Sequence, residues 1–382
     1  MKSARVSIGA LLSLVWAVVC TPTAATAASV TVNPGESIQA AVDAAAAGDT
    51  VKVMPGDYVE THAGSAAVRI TKPLKLIAKS KLPDVKVRIL PDSNNPAQHH
   101  GILVEPANDG DPDIVGVMIK GFTVEGFSNN GIWLRHTQKF KIKENESINN
   151  LENGIWPTLS TDGLVKKNVS YGSQDSALWI EASEKVRAIK NDLHHSPTGL
   201  EITVSKNIKV KKNEIHDNTV GVGLYHPNAA SLPPLGGDGD WELIGNNIHD
   251  NNEPNSAPPG TMSAGLPPGA GILLLGVDNV TIKKNDVANN GFLGVGVLDW
   301  CIAVGLVGPP FDCVSNPPIV ESAPDGDQVV SNDVMSNGTT PPTEFAAFAA
   351  DLLYFAGTTT SCFSNNTPTA TFFPTTGLPA CN

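Results

Sequence analysis

"NGIWLRHT" at 130–137, "NGIWPTLS" at 153–160, "SALWIEAS" at 176–183, "TGLEITVS" at 198–205 and "VGVGLYHP" at 220–227 are one phrase that returns every 22 or 23 residues. A second phrase keeps step with it. "FKIKEN" ends at Asn145, "GLVKKN" at Asn168, "VRAIKN" at Asn191 and "IKVKKN" at Asn213, with "WELIGN" at Asn246 and "VTIKKN" at Asn285 after an insertion. Two registers locked over several turns define a solenoid. Each unit holds short segments of period-2 alternation separated by Asn, Gly, Ser and Asp, which is strand patterning. Stacking such units places every strand in parallel register on its equivalent in the next turn, so identical residues form ladders less than 5 Å apart. Asn145, Asn168, Asn191 and Asn213 are expected to be such a ladder, their amides bonding along the stack and satisfying turn backbone. The fold class expected is all-β, a parallel β-helix.

A solenoid exposes its core at both ends and needs caps. In "SIQAAVDAAAAGDTVKVMPGDYVE", Ile38, Ala41, Val42 and Ala45 share one helical face, Gly48 stops the helix, and a strand follows at 50–54. We expect an N-cap over 34–48, a β-helix domain over 28–300 interrupted by a long insertion at 227–270, and a C-terminal cap or tail over 301–382. "TEFAAFAADLLYFAG" (343–357) reads as a short apolar segment of that cap.

Residues 1–27 combine Lys2 and Arg5, an apolar run from Val6 to Cys20 and Ala25-Thr26-Ala27, the pattern of a cleaved secretory signal peptide. The expected location is extracellular or periplasmic, with no membrane span in the mature chain. Cleavage takes the formal charge from −12 to about −14, which disfavours nucleic acid as a partner. Four cysteines would remain, Cys301, Cys313, Cys362 and Cys381. Four allow three pairings; we expect the two local ones, 301–313 and 362–381, since no C-x-x-C suggests a metal.

The stretch Ile38 to Tyr58, I-Q-x-A…G-D-x-V-x-V-x-P-G-x-Y, together with the repeats of 154–225, resembles the right-handed parallel β-helix proteins of the pectate-lyase-like superfamily. The closest likeness is to the secreted proteins with carbohydrate-binding and sugar-hydrolysis repeats. The resemblance covers roughly 30–300 and implies a right-handed coil and a polysaccharide partner. It does not supply a reaction. "YHPN" at 225–228 lacks both aspartates of the Asp-Pro-His-Asp motif of alginate epimerases, and the polygalacturonase and pectate-lyase sets are missing.

Alternation sends Ile132, Ile155, Leu178, Leu200 and Val222 inward. The other parity then faces out: Trp133, Trp156, Trp179, Glu201 and Gly223 in one column, and Arg135, Thr158, Glu181, Thr203 and Tyr225 beside it. The tryptophans are expected to form an exposed indole strip, a surface for sugar rings; the alternative is that the insertion 227–270 covers them as a satellite core. Glu181 and Glu201 are the leading acid/base pair, with Asp175, Tyr225 and His226 as further catalytic candidates, because glycoside cleavage needs two carboxyls. Trp133, Trp156, Trp179 and Arg135 are the substrate-binding candidates. A uronate lyase or epimerase would instead draw a base from His226, Tyr225, His194 or His195. Acidic loops at 108–113, 237–240 and 325–327 offer oxygens that would suit Ca²⁺, although solvated loops explain them as well. Lys141, Lys143, Lys166, Arg187, Lys209, Lys211 and Lys283 form an outward stripe on another sheet, which could hold an anionic polysaccharide but is better read as ordinary protection against aggregation. Two readings stay open: an enzyme that cleaves or epimerises a polysaccharide, and a non-catalytic adhesion or glycan-binding scaffold.

Overall fold

The computed structural model describes residues 27–80, 85–232, 238–357, 360–367 and 371–381. The leader expected over 1–27 lies, but for Ala27, outside them.

The chain winds through three long parallel sheets of twelve, ten and eleven strands. One turn of the coil shows how the sequence does this. Lys141–Lys143 lies in the twelve-stranded sheet, Glu146–Ile148 in the ten-stranded sheet and Ile155–Thr158 in the eleven-stranded sheet. The corner between the first two takes only two residues. Glu144 adopts a left-handed φ of 56°, and Asn145 follows, buried. Lys167, Lys190, Lys212 and Lys284 repeat that backbone before Asn168, Asn191, Asn213 and Asn285. Each asparagine repays the turn. The Asn168 Oδ1 accepts from Asn145 N at 3.0 Å and Asn145 Nδ2 at 3.1 Å, and the Asn168 Nδ2 donates to the Ile142 carbonyl at 3.1 Å.

The expected ladder is present and longer than the repeat phrases implied, running on through Asn246 and Asn285 to Asn332 and Asn366. Asn145 and Asn168 each open an Asn-x-Ser triplet, but both are buried core residues, which makes those glycosylation signals incidental. A second ladder, Asn218, Asn251, Asn290 and Asn337, ends on Asp351 at the next corner. The basic residues 141–283 lie on the outward face of the twelve-stranded sheet, where Lys209 and Lys211 both pair with Glu242.

The cap helix spans Ile38–Ala44 and buries Ile38 and Val42 over the first coil. Ser37 caps it by accepting from Ala40 N, and Glu60 receives the Ile38 N–H at 2.6 Å. At the other end the coil does not stop at residue 300. Segment 343–357 divides into a 3₁₀ turn, Thr343–Phe348, and a strand, Ala350–Phe355, which pairs with Leu293–Leu298. That strand is buried on both faces and carries Asp351 among its apolar residues, so alternation could not reveal it. Further strands at Gln328–Val330, Asp333–Met335, Cys362–Ser364 and Phe372–Phe373 extend all three sheets. Both disulfides have the local pairing, Cys301–Cys313 and Cys362–Cys381.

The insertion expected over 227–270 is two excursions, separated by strands Trp241–Ile244 and Asn247–His249 that complete a turn of the coil. Further excursions follow at 299–327, which contains the helix Trp300–Val307 and the Cys301–Cys313 bridge, and at 336–349. All four leave the coil at one of the two corners that flank the eleven-stranded sheet.

Candidate active site

The outward face of the eleven-stranded sheet carries three columns, set by pairing. One runs Ser176, Thr198, Val220, Ala270, Leu293; the next runs Trp179, Glu201, Gly223, Leu273, Gly296, Leu353. In the third, Glu181 leads to Thr203, and beyond it Tyr225, Leu275, Leu298 and Phe355 succeed one another. The parity expected from sequence holds for the second and third columns; the first stands three residues before the second, because Ala177 and Leu178 are both packed into the core. The character of the columns changes along the coil, from aromatic and polar in the early turns to aliphatic in the later ones.

Solvent does not reach most of this face. In strands Ser176–Glu181, Thr198–Thr203 and Val220–Tyr225 every residue is buried, on both sides of the sheet. Trp156 and Trp179 are only 8% and 6% exposed, so the open indole strip is corrected to a largely buried one. A second correction concerns what the rings offer. Stacking in register sets Trp133, Trp156 and Trp179 face to face, with centroids 4.9 and 5.2 Å apart and planes 12° apart. Their faces are spent on each other. The outer face of Trp133 meets His100 and the Arg135 guanidinium, 5.1 and 5.4 Å from its ring. Trp179, the last of the stack, is the member that lines a cleft.

That cleft, of about 370 Å³, lies over the later turns of the same sheet. Its floor is the sheet. One wall is the 253–267 excursion with Met262 and Leu266, the other the helix Trp300–Val307. The walls meet where a Cβ on Gly265 would come within 2.6 Å of Val307 Cγ1.

Glu152, Asp175 and Glu201 converge at the early end of the cleft, beside Trp179 and Tyr225. Ser176 Oγ donates to Glu201 Oε2 and Ser263 Oγ to Asp175 Oδ1, each at 2.6 Å. Burial pushes the Glu201 carboxyl well above the usual carboxylate range, and the charge of Asp175 raises it further. Burial likewise raises Asp175, and Glu152 is raised by burial and by Asp175. Burial also holds the Tyr225 phenol in its neutral form, with Glu201 adding to the effect. The Tyr225 hydroxyl lies beside Thr198 but outside hydrogen-bonding geometry, and neither hydroxyl has a partner among the described residues. No Lys, Arg or His side chain lines the cleft among those residues.

Of the predicted site residues, Asp175, Glu201, Tyr225 and Trp179 meet here. Glu181 does not. It is 0% exposed and its carboxylate is consumed by the 226–232 segment, accepting from Ser231 N at 2.7 Å, Ser231 Oγ at 2.9 Å and Leu232 N at 3.0 Å. It anchors a loop. His226 is also structural: its Nε2 donates to the Glu321 carbonyl, its Nδ1 accepts from Asn228 N, and its ring stacks on Trp300. Burial lowers its basicity. His194 stacks between Tyr171 and His216 on the ten-stranded sheet, with His195 against its edge, away from the cleft. Arg135 lies 3.6 Å from Glu105 on the early turns. Asp111 and Asp325 in the acidic loops accept from Asn108 and Thr360 within their own turns and neighbours, and no group of three potential metal ligands stands together among the described residues. Sequence reasoning missed Glu152 and the aliphatic half of the cleft. "AGILLLG" (270–276) and "LGVGVL" (293–298) held the signal, since Leu273, Leu275 and Leu298 sit at outward parity where polar residues are the norm.

A model of the right-handed β-helix region matches residues 100–232. The three sheets extend the same winding on both sides of that segment. The fold is a right-handed parallel β-helix. The β-helix superposes on the A-module of mannuronan C-5 epimerase from Azotobacter vinelandii with a TM-score of 0.60 at 15% identity, over 86% of this chain and 89% of that one. Similar solved structures include DFA-IIIase from Arthrobacter chlorophenolicus A6 (TM-score 0.51, 12% identity, 88% of each chain). Another is the catalytic unit of the α-1,3-glucanase from Streptomyces thermodiastaticus (0.50, 15%, 90% of this chain and 70% of that one). At such identities the likeness establishes the fold of the β-helix and nothing of its chemistry. No curated protein sequence matches it.

Proposed function

We propose that this β-helix is an exported glycoside hydrolase that uses Glu201 and Asp175 as its carboxyl pair. The observation that carries the reading is the convergence of two environment-shifted carboxyls in one cleft beside an indole and a phenol. Environments that push two carboxyls apart assign their roles. Glu201, 5% exposed and the more strongly raised, is the carboxyl that holds its proton longer, and it delivers that proton to the glycosidic oxygen. Asp175, partly exposed, gives up its proton first and serves as nucleophile or as base toward water. The bond from the anomeric carbon to the leaving oxygen breaks, the leaving group departs as an alcohol, and hydroxide from water ends on the sugar.

Lyase and epimerase chemistry on uronates finds less support. A substrate carboxylate would enter beside Glu152, Asp175 and Glu201 with no basic side chain in the lining to offset the repulsion. Two disulfides accord with an oxidising compartment, and no helix among the described residues is long and apolar enough to cross a membrane.

The test is incubation of the purified protein with neutral and uronic glycans, following reducing ends and unsaturated-uronate absorbance. Reducing ends should rise without absorbance. Glu201→Gln and Asp175→Asn should each lower kcat by about 10²–10⁴-fold with the thermal midpoint retained. Glycan binding without any new reducing end would return the protein to the scaffold reading.

A further inference from the structure

Three observations constrain what the cleft accepts. Its early end is hydrogen-bonding: Glu152, Asp175 and Glu201, and the Tyr225 hydroxyl, 95% buried by residue yet without a partner among the described residues. Beyond Tyr225 the lining turns hydrocarbon. Leu273, Leu275, Leu293, Leu298 and Leu353 form the floor, and none of them offers a polar atom. Above them, Met262 and Leu266 face Val304 and Val307, and Phe292, Phe345 and Phe348 close the far end. A polysaccharide presents hydroxyls along its whole length. Laid in this cleft, it would satisfy the first sugar and strip water from the hydroxyls of the next without replacing those bonds. A ligand with a sugar at one end and a hydrocarbon at the other matches both halves.

We infer that the substrate is an amphiphilic glycoside, a sugar on the Trp179–Asp175–Glu201 end joined to a long apolar aglycone that lies on the leucine floor. The inference rests on the hydrolase reading for the sugar end and supplies the substrate class that reading leaves open. The acidic, base-free lining disfavours the other common amphiphile. A fatty-acid carboxylate would have to face Glu152, Asp175 and Glu201, whereas a neutral sugar supplies hydroxyls to those carboxyls and to the Tyr225 oxygen. The cleft volume falls within the usual range for small-molecule sites, about 300–1,000 Å³, which suits one head and one chain better than an extended polymer. Glu201 would protonate the oxygen between sugar and aglycone, releasing the apolar alcohol into the hydrocarbon half; water closes the sugar as above.

The experiment uses hexyl, octyl, decyl and dodecyl glycosides of several neutral hexoses in both anomers, below their critical micelle concentrations. Binding is read by indole fluorescence, since Trp179 and Trp300 line the cleft, and hydrolysis by release of free sugar. Affinity should rise by about fourfold per methylene until the cleft is filled. Leu306→Glu places a charge at the rim, where Leu306 is 50% exposed, so folding is not at stake. It should weaken the dodecyl glycoside by tenfold or more and leave the hexyl glycoside nearly unchanged. Affinity that is flat with chain length, equal affinity for the bare alkanol, or indifference to Leu306→Glu would each overturn the proposal. Chain-length-dependent binding of glycosides with no sugar released would retire the hydrolase reading and keep the amphiphile. Release of sugar from plain oligosaccharides, with flat chain-length dependence, would keep the hydrolase and retire the amphiphile.

Discussion

Trp156 sits between two indoles and has neither ring face left to present to a ligand. Its neighbours lie 4.9 and 5.2 Å away on either side, and it does not line the cleft. Truncating it removes two stacking partners and leaves a cavity in a covered layer. Trp156→Ala should destabilise the protein by roughly 3–5 kcal/mol in urea unfolding while leaving the affinity of bound glycoside within about twofold. Trp179→Ala, by contrast, should reduce that affinity. Equal effects of the two on binding would mean that the indole stack itself is the ligand platform. The same contrast separates the carboxyls. Glu181 and Glu201 are diagonal neighbours of nearly equal burial, yet one binds a loop and the other faces a cleft. Nothing within their own strands distinguishes them, because the deciding partner, Ser231, is 50 residues downstream.

At the scale of the element, the coil was legible because its grammar is local. A corner of one left-handed residue and one asparagine recurs at a fixed interval, and the inward leucines and isoleucines keep step with it. The ladder makes this grammar cooperative. Asn191→Ala would strand the Asn168 N–H and the Val165 carbonyl, both of which Asn191 now serves. Two buried groups left unpaired should cost roughly 3 kcal/mol, measurable as a lower urea midpoint, and Asn191→Asp should recover only the accepting half. The excursions were not legible in the same way. They carry no period, and what they cover is decided by docking across the sheet. Hence the alternation of Trp179 and Glu201 told which face they occupy, and could not tell that Met262 and Trp300 would roof it. The strand Ala350–Phe355 escaped for a related reason, since burial on both faces erases the alternation that marks a strand.

For the whole molecule, burial of carboxyls sets a direction for pH. Burial raises Asp327 to about 8 and Asp238 to about 7, and raises Asp175 and Glu201 as well. An aspartate in the unfolded chain titrates near 3.9. Between that value and about 8, folded Asp327 holds a proton that the unfolded chain releases. Its contribution is therefore fully present below about pH 4 and is lost as pH rises through about 8. The thermal midpoint should fall from pH 5 to pH 8, and Asp327→Asn should flatten that slope, its Oδ1 keeping the bond from Val280 N while its Nδ2 donates where the carboxylate accepted from Ser361 Oγ. A midpoint that rises over the same interval would contradict this. Lowered carboxyls such as Glu144 and Glu184 are partners in solvent-facing ion pairs and offset little of it.

The stacked indoles have an optical consequence. Three identical chromophores held nearly parallel, about 5 Å apart, share their excited states. Coupled transitions split into a bisignate band in circular dichroism, whose sign follows the twist from one coil to the next. The couplet exists only while Trp133, Trp156 and Trp179 remain in register, so a slip of one turn would erase it even with every strand intact. The protein thus carries its own gauge of winding, readable without a label.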